Sequence, residues 1–546
     1  MATLNTLYYG DNLDIMREHI GAESVDLVYL DPPFNSKRAY NLLFKSPKGH
    51  QSEAQITAFE DTWHWAEQAE REFDDLLHQP NTDVAEMMKA FRSFLGENDV
   101  MAYLTMMAGR LLELRRVLKP TGSLYLHCDP TASHYLKVVL DGVFGVQGFR
   151  NEIVWKRIHT VKGNFGQGSK FFGPNTDSIF FYARSEQQKF NPAFTDYRPE
   201  YIDQFFHHTE PDGRRYRLIS MIGPGGASKG NPHYEFMGVT KYWRYSEKKM
   251  HELHDQGMIV QTKPGAVPQR KQYLDQGKGA AVQSLWTDIE SASGGESLGY
   301  PTQKPLALLE RIIRASSDEG DVVLDPFCGC GTAVHAAQKL KRRWIGIDIT
   351  CLAIGLIEKR LKSAFGKECE FKVEGTPKDL ESARDLAARD KYQFQWWAVT
   401  LVDAQPFQGK KKGADTGIDG LKFFHDLQTK DAMKIVISVK GGGLKADDVR
   451  ALNHVREREK AEFGFLISLA EPTAKMRADA ASAGIYTSGA GQKYQRVQML
   501  TIEGLLTGTE RGEHPDYVPD VNYKRAKREK RHKEGELFEG PQPTGP

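Results

Sequence analysis

Asp31-Pro32-Pro33-Phe34 brings an acceptor carboxylate, two residues that stiffen the backbone and an aromatic ring together within four positions. An exocyclic amine on a heteroaromatic base is a poor nucleophile, because its lone pair is delocalised into the ring. Methylating it needs acceptors that draw on its two protons, and the Asp31 carboxylate and the Pro32 carbonyl can supply both. Proline removes an N–H and fixes the turn, while Phe34 offers a face for an unstacked base, worth about 1–3 kcal/mol per base. Taken alone, a D-P-P sequence more often marks a plain turn.

Two further segments carry chemistry. Leu324-Asp325-Pro326-Phe327-Cys328-Gly329-Cys330-Gly331-Thr332 lies between an expected strand and an expected helix. A glycine turn there lets the backbone approach a ligand at the carboxyl edge of an open α/β sheet. Asp348 ends the next expected strand, where its carboxylate can accept from ribose hydroxyls. Tyr300-Pro301-Thr302-Gln303-Lys304-Pro305 precedes a helix, and its polar side chains suit the amino-acid end of a cofactor. By themselves these two segments also read as a structural turn and a capped helix start.

The elements that must position these residues follow from periodicity. Ser24 to Asp31 reads as a buried strand ended by Pro32, and Asp99 to Leu118 as an amphipathic helix stopped at Lys119-Pro120-Thr121-Gly122. Strands are expected at Ser123–His127, Ile153–Trp155, Val322–Asp325 and Trp344–Asp348. Helices are expected at 132–144, Leu306–Ser316 and Ala333–Leu340, with another reaching about Phe365. Between 156 and 300, glycine-rich and aromatic-rich pieces interrupt any regular period, which reads as an irregular insertion.

In this order, the D-P-P-F tetrapeptide, a long middle region, Thr302 to Pro305 and the Asp325 to Gly331 loop resemble the beta-class amino-methyltransferases of DNA. Tyr9-Gly10-Asp11-Asn12 and Gly122 to Asp129 also look like segments of that family. The resemblance implies a Rossmann-like, seven-stranded, circularly permuted α/β sheet that binds S-adenosylmethionine. By position it places Asp31, Pro32, Pro33 and Phe34 at the target base, and Asp325, Phe327, Gly329 and Gly331 around the methionine. Thr302 and Lys304 then face the methionine end, Asp348 the ribose and Asp11 the adenine ring. The domain reading is 1–155 for the catalytic half, 156–300 for target recognition and 301–370 for the cofactor half. Adenine N6 is the expected target, since the family's N4-cytosine enzymes more often begin the tetrapeptide with Ser. Cytosine N4 is the alternative. Methylases of RNA or of protein glutamine usually carry the cofactor loop first, so the order favours double-stranded DNA. Arg214-Arg215-Tyr216-Arg217 and Lys241-Tyr242-Trp243-Arg244 interleave cations with aromatics and read either as DNA contacts or as a solvated face over a small core.

Residues 390–506 form a third block, and 507–546 a basic tail expected to be disordered or a frayed helix. Gly413 to Gly420 followed by Ile435 to Lys440 resembles Mrr-like restriction endonucleases. That likeness implies a restriction-endonuclease-like α/β domain with Asp419 on Mg²⁺ and Lys440 beside it. The alternative function is therefore a fused methyltransferase and endonuclease. Ser438 stands where a second ligand is expected, and Gln395 where an upstream helix often supplies Glu, which weighs against cleavage.

Composition excludes little else. The 546 residues carry a net charge of +1, so any nucleic-acid surface must be local. No apolar run nears the roughly 18 residues that span a bilayer, and the polar N-terminus gives no secretion signal, so a cytoplasmic place without membrane contact is expected. The five cysteines are odd in number and lack C-x-x-C pairs, which predicts reduced core residues. The partners left open are a second copy of the chain and a restriction subunit.

Overall fold

The structure is a computed structural model. It describes residues 5–33, 39–45, 51–60, 65–130, 132–158, 170, 172–298, 300, 302–407, 417–427, 432–516 and 528–529. Phe34 lies outside the described residues. Two compact units divide the chain, one made of residues 1–191 with 284–546 and the other of 192–283.

The large unit is built on a nine-stranded sheet. Its strands are β1 (Asn5–Tyr9), β2 (Val25–Leu30), β3 (Leu118–Cys128), β4 (Phe149–Lys156), β5 (Thr176–Ala183), β6 (Leu285–Trp286), β7 (Val322–Asp325), β8 (Arg343–Asp348) and β9 (Phe371–Glu374). They lie in the order β6-β4-β5-β3-β2-β7-β8-β1-β9. Every neighbouring pair is parallel except those that β5 makes with β3 and β4. Strands β2 and β7 carry apolar residues almost throughout because both faces of the sheet are covered. One polar exception fixes their junction. Asp26, 3% exposed, accepts from the Val322 N–H at 2.9 Å and from Lys119 Nζ at 2.8 Å. A buried carboxylate must be satisfied in this way, and here it ties two strands nearly three hundred residues apart.

Helix α1 (Asn12–His19) begins at Asp11, whose side chain accepts from the Leu13 N–H. Helix α2 (Asp99–Val117) starts at Asn98, whose side chain accepts from Met101, and it buries most of its length against the sheet. Helices α3 (Ser133–Phe144), α4 (Leu306–Ser316), α5 (Thr332–Lys339) and α6 (Cys351–Phe365) complete the layers. The parallel strands end on one edge, so Asp11, Asp31, Asp325 and Asp348 share it.

Several expectations need correction. The sheet has nine strands rather than seven, with β6 and β9 as short edge strands. The 156–300 region is not wholly an insertion, because β5 lies within it and Ile179 to Ala183 are buried between β3 and β4. The separate unit is Pro192–Gln283 and is not irregular. It has a four-stranded antiparallel sheet and a His233–Phe236/Val239–Tyr242 hairpin, over a small core that includes Met221, Trp243 and Met250. All five cysteines are free and buried, as expected.

The block expected at 390–506 starts earlier, with α7 (Leu380–Arg389) and α8 (Lys391–Thr400). Asp390 sits between them and caps α8 through the Tyr392 and Gln393 N–H groups. Its five-stranded sheet runs β10 (Gln405–Pro406), β11 (Gly420–Phe424), β12 (Met433–Lys440), β13 (Phe463–Ser468) and β14 (Val497–Thr501). Ala383, Leu386, Phe394 and Trp397 form one core with that sheet and with Cys351 of α6. The tail is anchored where it is described. Glu510 accepts from the Thr501 N–H and hydroxyl, and Glu529 pairs with His335 at 3.1 Å and Lys339 at 3.4 Å. The rest of the basic run 524–533 lies outside the described residues.

Phe394 is fully buried where α8 meets this sheet. Phe394→Ala is expected to cost about 3–5 kcal/mol through the cavity it leaves. A urea melt should show an earlier midpoint for the variant.

Candidate active site

Local backbone geometry builds the site from the β7 end outward. Gly329 and Gly331 hold φ of +48° and +73°, a region that favours glycine. A Cβ at Gly331 would sit 2.8 Å from Ile357 Cγ1, and one at Gly329 would sit 3.2 Å from the Tyr300 ring. The loop is held from below as well. Arg360 of α6, 4% exposed, donates to the Cys330 carbonyl at 3.0 Å and to Thr332 Oγ1 at 3.1 Å. Sequence reading missed Arg360, since a cation inside an apolar helix pattern gives no sign of its target.

Asp348 accepts from the Gly329 N–H at 2.9 Å through one oxygen, and from the Thr350 N–H and hydroxyl at 2.9 and 2.8 Å through the other. A carboxylate offers about four lone-pair sites, so acceptor capacity is left over. Burial pushes its carboxyl up to about 6, against the three donors. Asp325 is driven well above the usual carboxylate range by burial, with Asp31 and Asp348 adding to the rise.

Asp11 and its neighbours form a second wall. Arg110 of α2, 6% exposed, donates to Asp11 Oδ2 at 2.9 Å and to Asn12 Oδ1 at 2.6 Å. Asn12 Nδ2 then donates to the Pro326 carbonyl at 2.8 Å. One network therefore fixes the loop after β1 against the glycine loop. Asn12 stood in the sequence motif, but Arg110 did not.

Asp31 follows the end of β2. Lys304 Nζ donates to its Oδ2 at 2.5 Å, while Oδ1 is buried with no hydrogen-bond partner among the described residues. Lys304 is delivered by a tight turn in which Thr302, a β-branched residue, takes φ +61°. Gln303 is a staple within that turn, accepting from the Leu298 N–H and donating to the Glu296 carbonyl, both at 2.8 Å. Glu296 in turn accepts from the Leu306 N–H at the start of α4.

Behind Asp31 runs a buried polar row. Tyr29 and His127 Nδ1 lie 3.0 Å apart, and His127 Nε2 lies 3.1 Å from Asp177 Oδ2. Burial, and then Lys304, pull His127 down toward its neutral form. Burial lifts the Tyr29 phenol, so it stays protonated and donates to Nδ1 while Nε2–H donates to Asp177. Burial also lifts Asp177, but His127, Lys304 and Arg157 leave it below the ordinary range. Asp177 was missed because its strand was missed.

These groups enclose a cavity of about 300 Å³. Asp11, Asp31, Pro32, Pro33, Thr302, Lys304, Asp325, Phe327, Gly329 and Asp348 all line it, together with Tyr300 of the same polar segment and with Tyr29 and Arg110, which were not anticipated. Gly331 shapes the loop without lining the cavity.

The other expected sites assemble less well. Asp419 accepts from the Val439 N–H at 2.7 Å and from Ser438 Oγ at 3.3 Å, and Lys440 pairs with Asp448 at 3.2 Å. Among the described residues, no group of three or more His, Cys, Asp and Glu side chains gathers around a point. The Mg²⁺ expectation therefore finds no ligand set, for Ser438 supplies a hydroxyl where a carboxylate was needed. In the 192–283 unit, Arg214 is bound to Asp275 and lies 4.0 Å over Tyr273, while Arg217 donates to Tyr201 and Gln272. Trp243 is core, whereas Lys241 and Arg244 are exposed. The cationic clusters thus divide between packing and surface.

A family described as DNA methylase matches residues 25–359, well over half of the chain. The type II methyltransferase M.EcaI of Enterobacter cloacae is 28% identical over 65% of this chain and 69% of its own length. The type III restriction-modification StyLTI Mod subunit of Salmonella typhimurium is 28% identical over 62% of this chain, which spans 50% of that subunit. The crystal structure of an M1.HpyAVI–SAM complex aligns with 65% of this chain and 98% of its own, at 16% identity and a TM-score of 0.31. Among the described residues, no helix is long and apolar enough to cross a membrane.

Gly331→Ala combines a positive φ with a 2.8 Å clash, and it should cost about 1–3 kcal/mol. Gly21→Ala meets nothing within 4 Å and should stay within about 0.5 kcal/mol. Thermal melts of the two variants check the difference.

Proposed function

This chain belongs to the N6/N4 DNA methylase family, and we propose that it methylates the N6 amino group of an adenine turned out of double-stranded DNA. The observation that carries this reading is the Asp31 carboxylate, with one oxygen anchored and the other buried without a partner among the described residues, in the cavity that the glycine loop also lines.

The residues present fit S-adenosylmethionine. Gly329 presents bare backbone to the cavity, Asp348 keeps acceptor capacity for ribose hydroxyls, and the cavity volume falls within the range of about 300–1,000 Å³ for small-molecule sites. Asp11, Thr302, Lys304, Asp325 and Phe327 complete the set of residues that would hold it. When bound, S-adenosylmethionine supplies an electrophilic methyl group on a sulfonium.

The chain's own work is on the acceptor. Asp31 Oδ1 and the Pro32 carbonyl take hydrogen bonds from the two amine protons, which returns lone-pair density to nitrogen and aims it. Oδ1 then holds the proton that leaves as nitrogen gains its fourth bond. Catalysis of this kind is mainly orientation in a dry cleft. A base inside a duplex is out of reach, so it must leave the stack at a cost of about a few kcal/mol. The 192–283 unit is assigned to recognition, with exposed Lys241 and Arg244 suited to phosphates. The choice of adenine over cytosine rests on Asp, rather than Ser, beginning the tetrapeptide. The relatives named for restriction-modification support a role beside a restriction subunit.

Asp31→Ala is expected to lower methyl transfer by at least about 10³-fold, with S-adenosylmethionine binding retained in calorimetry. A variant that still methylates would contradict the role. Protonating Asp348 removes acceptor sites from the ribose, and its carboxyl lies at about 6. Cofactor affinity should therefore be full above that pH and fall as pH drops below it. Asp348→Asn should flatten this dependence.

A further inference from the structure

We propose that Lys304 is a positioning residue for Asp31 rather than a contact to the methionine end of the cofactor. The proposal rests on the reading of Asp31 as the group that orients the target amine. The ammonium lies 2.5 Å from Asp31 Oδ2, and the two side chains are 8% and 19% exposed. A carboxylate left to itself rotates broadly about its last torsion. With Oδ2 held, Oδ1 keeps one direction, and it is the oxygen left buried without a partner among the described residues.

The anchor is itself fixed. Lys304 Nζ also lies 3.5 Å from the Thr302 carbonyl, in the turn that Thr302 bends at φ +61°, and Pro305 follows at once. Gln303 closes the loop onto Leu298 and Glu296. The charge matters as much as the direction. A protonated carboxyl would donate to the amine instead of accepting from it. Among the described residues, the titratable groups around the pair include Tyr29, His127, Cys128, Asp177, Tyr300, Asp325 and Cys330, with Arg110 on the same cavity, and burial holds His127 toward neutrality. The cation in direct contact with Asp31 is Lys304.

The test measures single-turnover methyl transfer at saturating S-adenosylmethionine, cofactor affinity by calorimetry and the pH profile, for wild type, Lys304→Met, Lys304→Arg and Asp31→Ala on the full chain. Lys304→Met should lose about 10²-fold or more in rate, keep cofactor affinity within about threefold, and move the acid limb of its profile to higher pH, because a carboxylate without a neighbouring cation takes up a proton more readily. Lys304→Arg restores the charge with a different reach. It should recover the wild-type acid limb and part of the rate, and it remains informative if the Met variant does not fold. Cofactor affinity weakened more than tenfold, with rate at saturation and pH profile unchanged, would overturn the proposal and return Lys304 to the methionine end. An Asp31→Ala variant that still methylates would instead sink the underlying reading, whatever the Lys304 variants do.

Discussion

The pairing of Val25–Leu30 with Val322–Asp325 is the constraint on which the site depends. Leu27 faces Val323 and Val28 faces Leu324, and parallel strands in register end together. Asp31 and the Asp325 loop are therefore neighbours across the sheet, although the chain places almost three hundred residues between them. Asp26 makes this register specific. Its buried carboxylate needs both the Val322 N–H and Lys119, and a strand slipped by one residue would turn it away from both.

From that edge outward, polar groups occur where apolar packing has to stop. Arg110, Arg360 and Lys304 are buried cations, and each is aimed at a loop or carboxylate that shapes the cavity. Such groups are costly inside a protein unless hydrogen-bonded. Their placement fixes loops that glycine would otherwise leave mobile. The C-terminal block joins the same scaffold through Cys351, just beyond Asp348, whose N–H donates to Gln393 at 3.3 Å.

Much of this was legible in the sequence. The limits of β7 and α4 follow from a short apolar run and helical spacing, because those elements are buried in simple patterns. Strand β5 was not legible, since Thr176–Ala183 follows the glycine-rich stretch 163–173 and falls inside a region whose period is broken. The motif residues stand out in the sequence, but the relation between them does not. Lys304 and Asp31 are 273 positions apart, and a linear pattern assigns each to its own motif rather than to the other. Tyr29, His127, Asp177 and Arg110 escaped for the same reason, as buried polar residues whose partners only the fold supplies. The metal reading of Asp419 finds no ligand set among the described residues, and the sequence already displayed Ser438 and Gln395 where acidic ligands were expected.

The account turns on an exocyclic amine being the atom that receives the methyl group. Duplex DNA treated with the protein and methyl-deuterated S-adenosylmethionine, then digested to nucleosides for mass spectrometry, tests this directly. Label in N6-methyladenine is the predicted result. Label on carbon 5 of cytosine, or no label in the DNA, would contradict it.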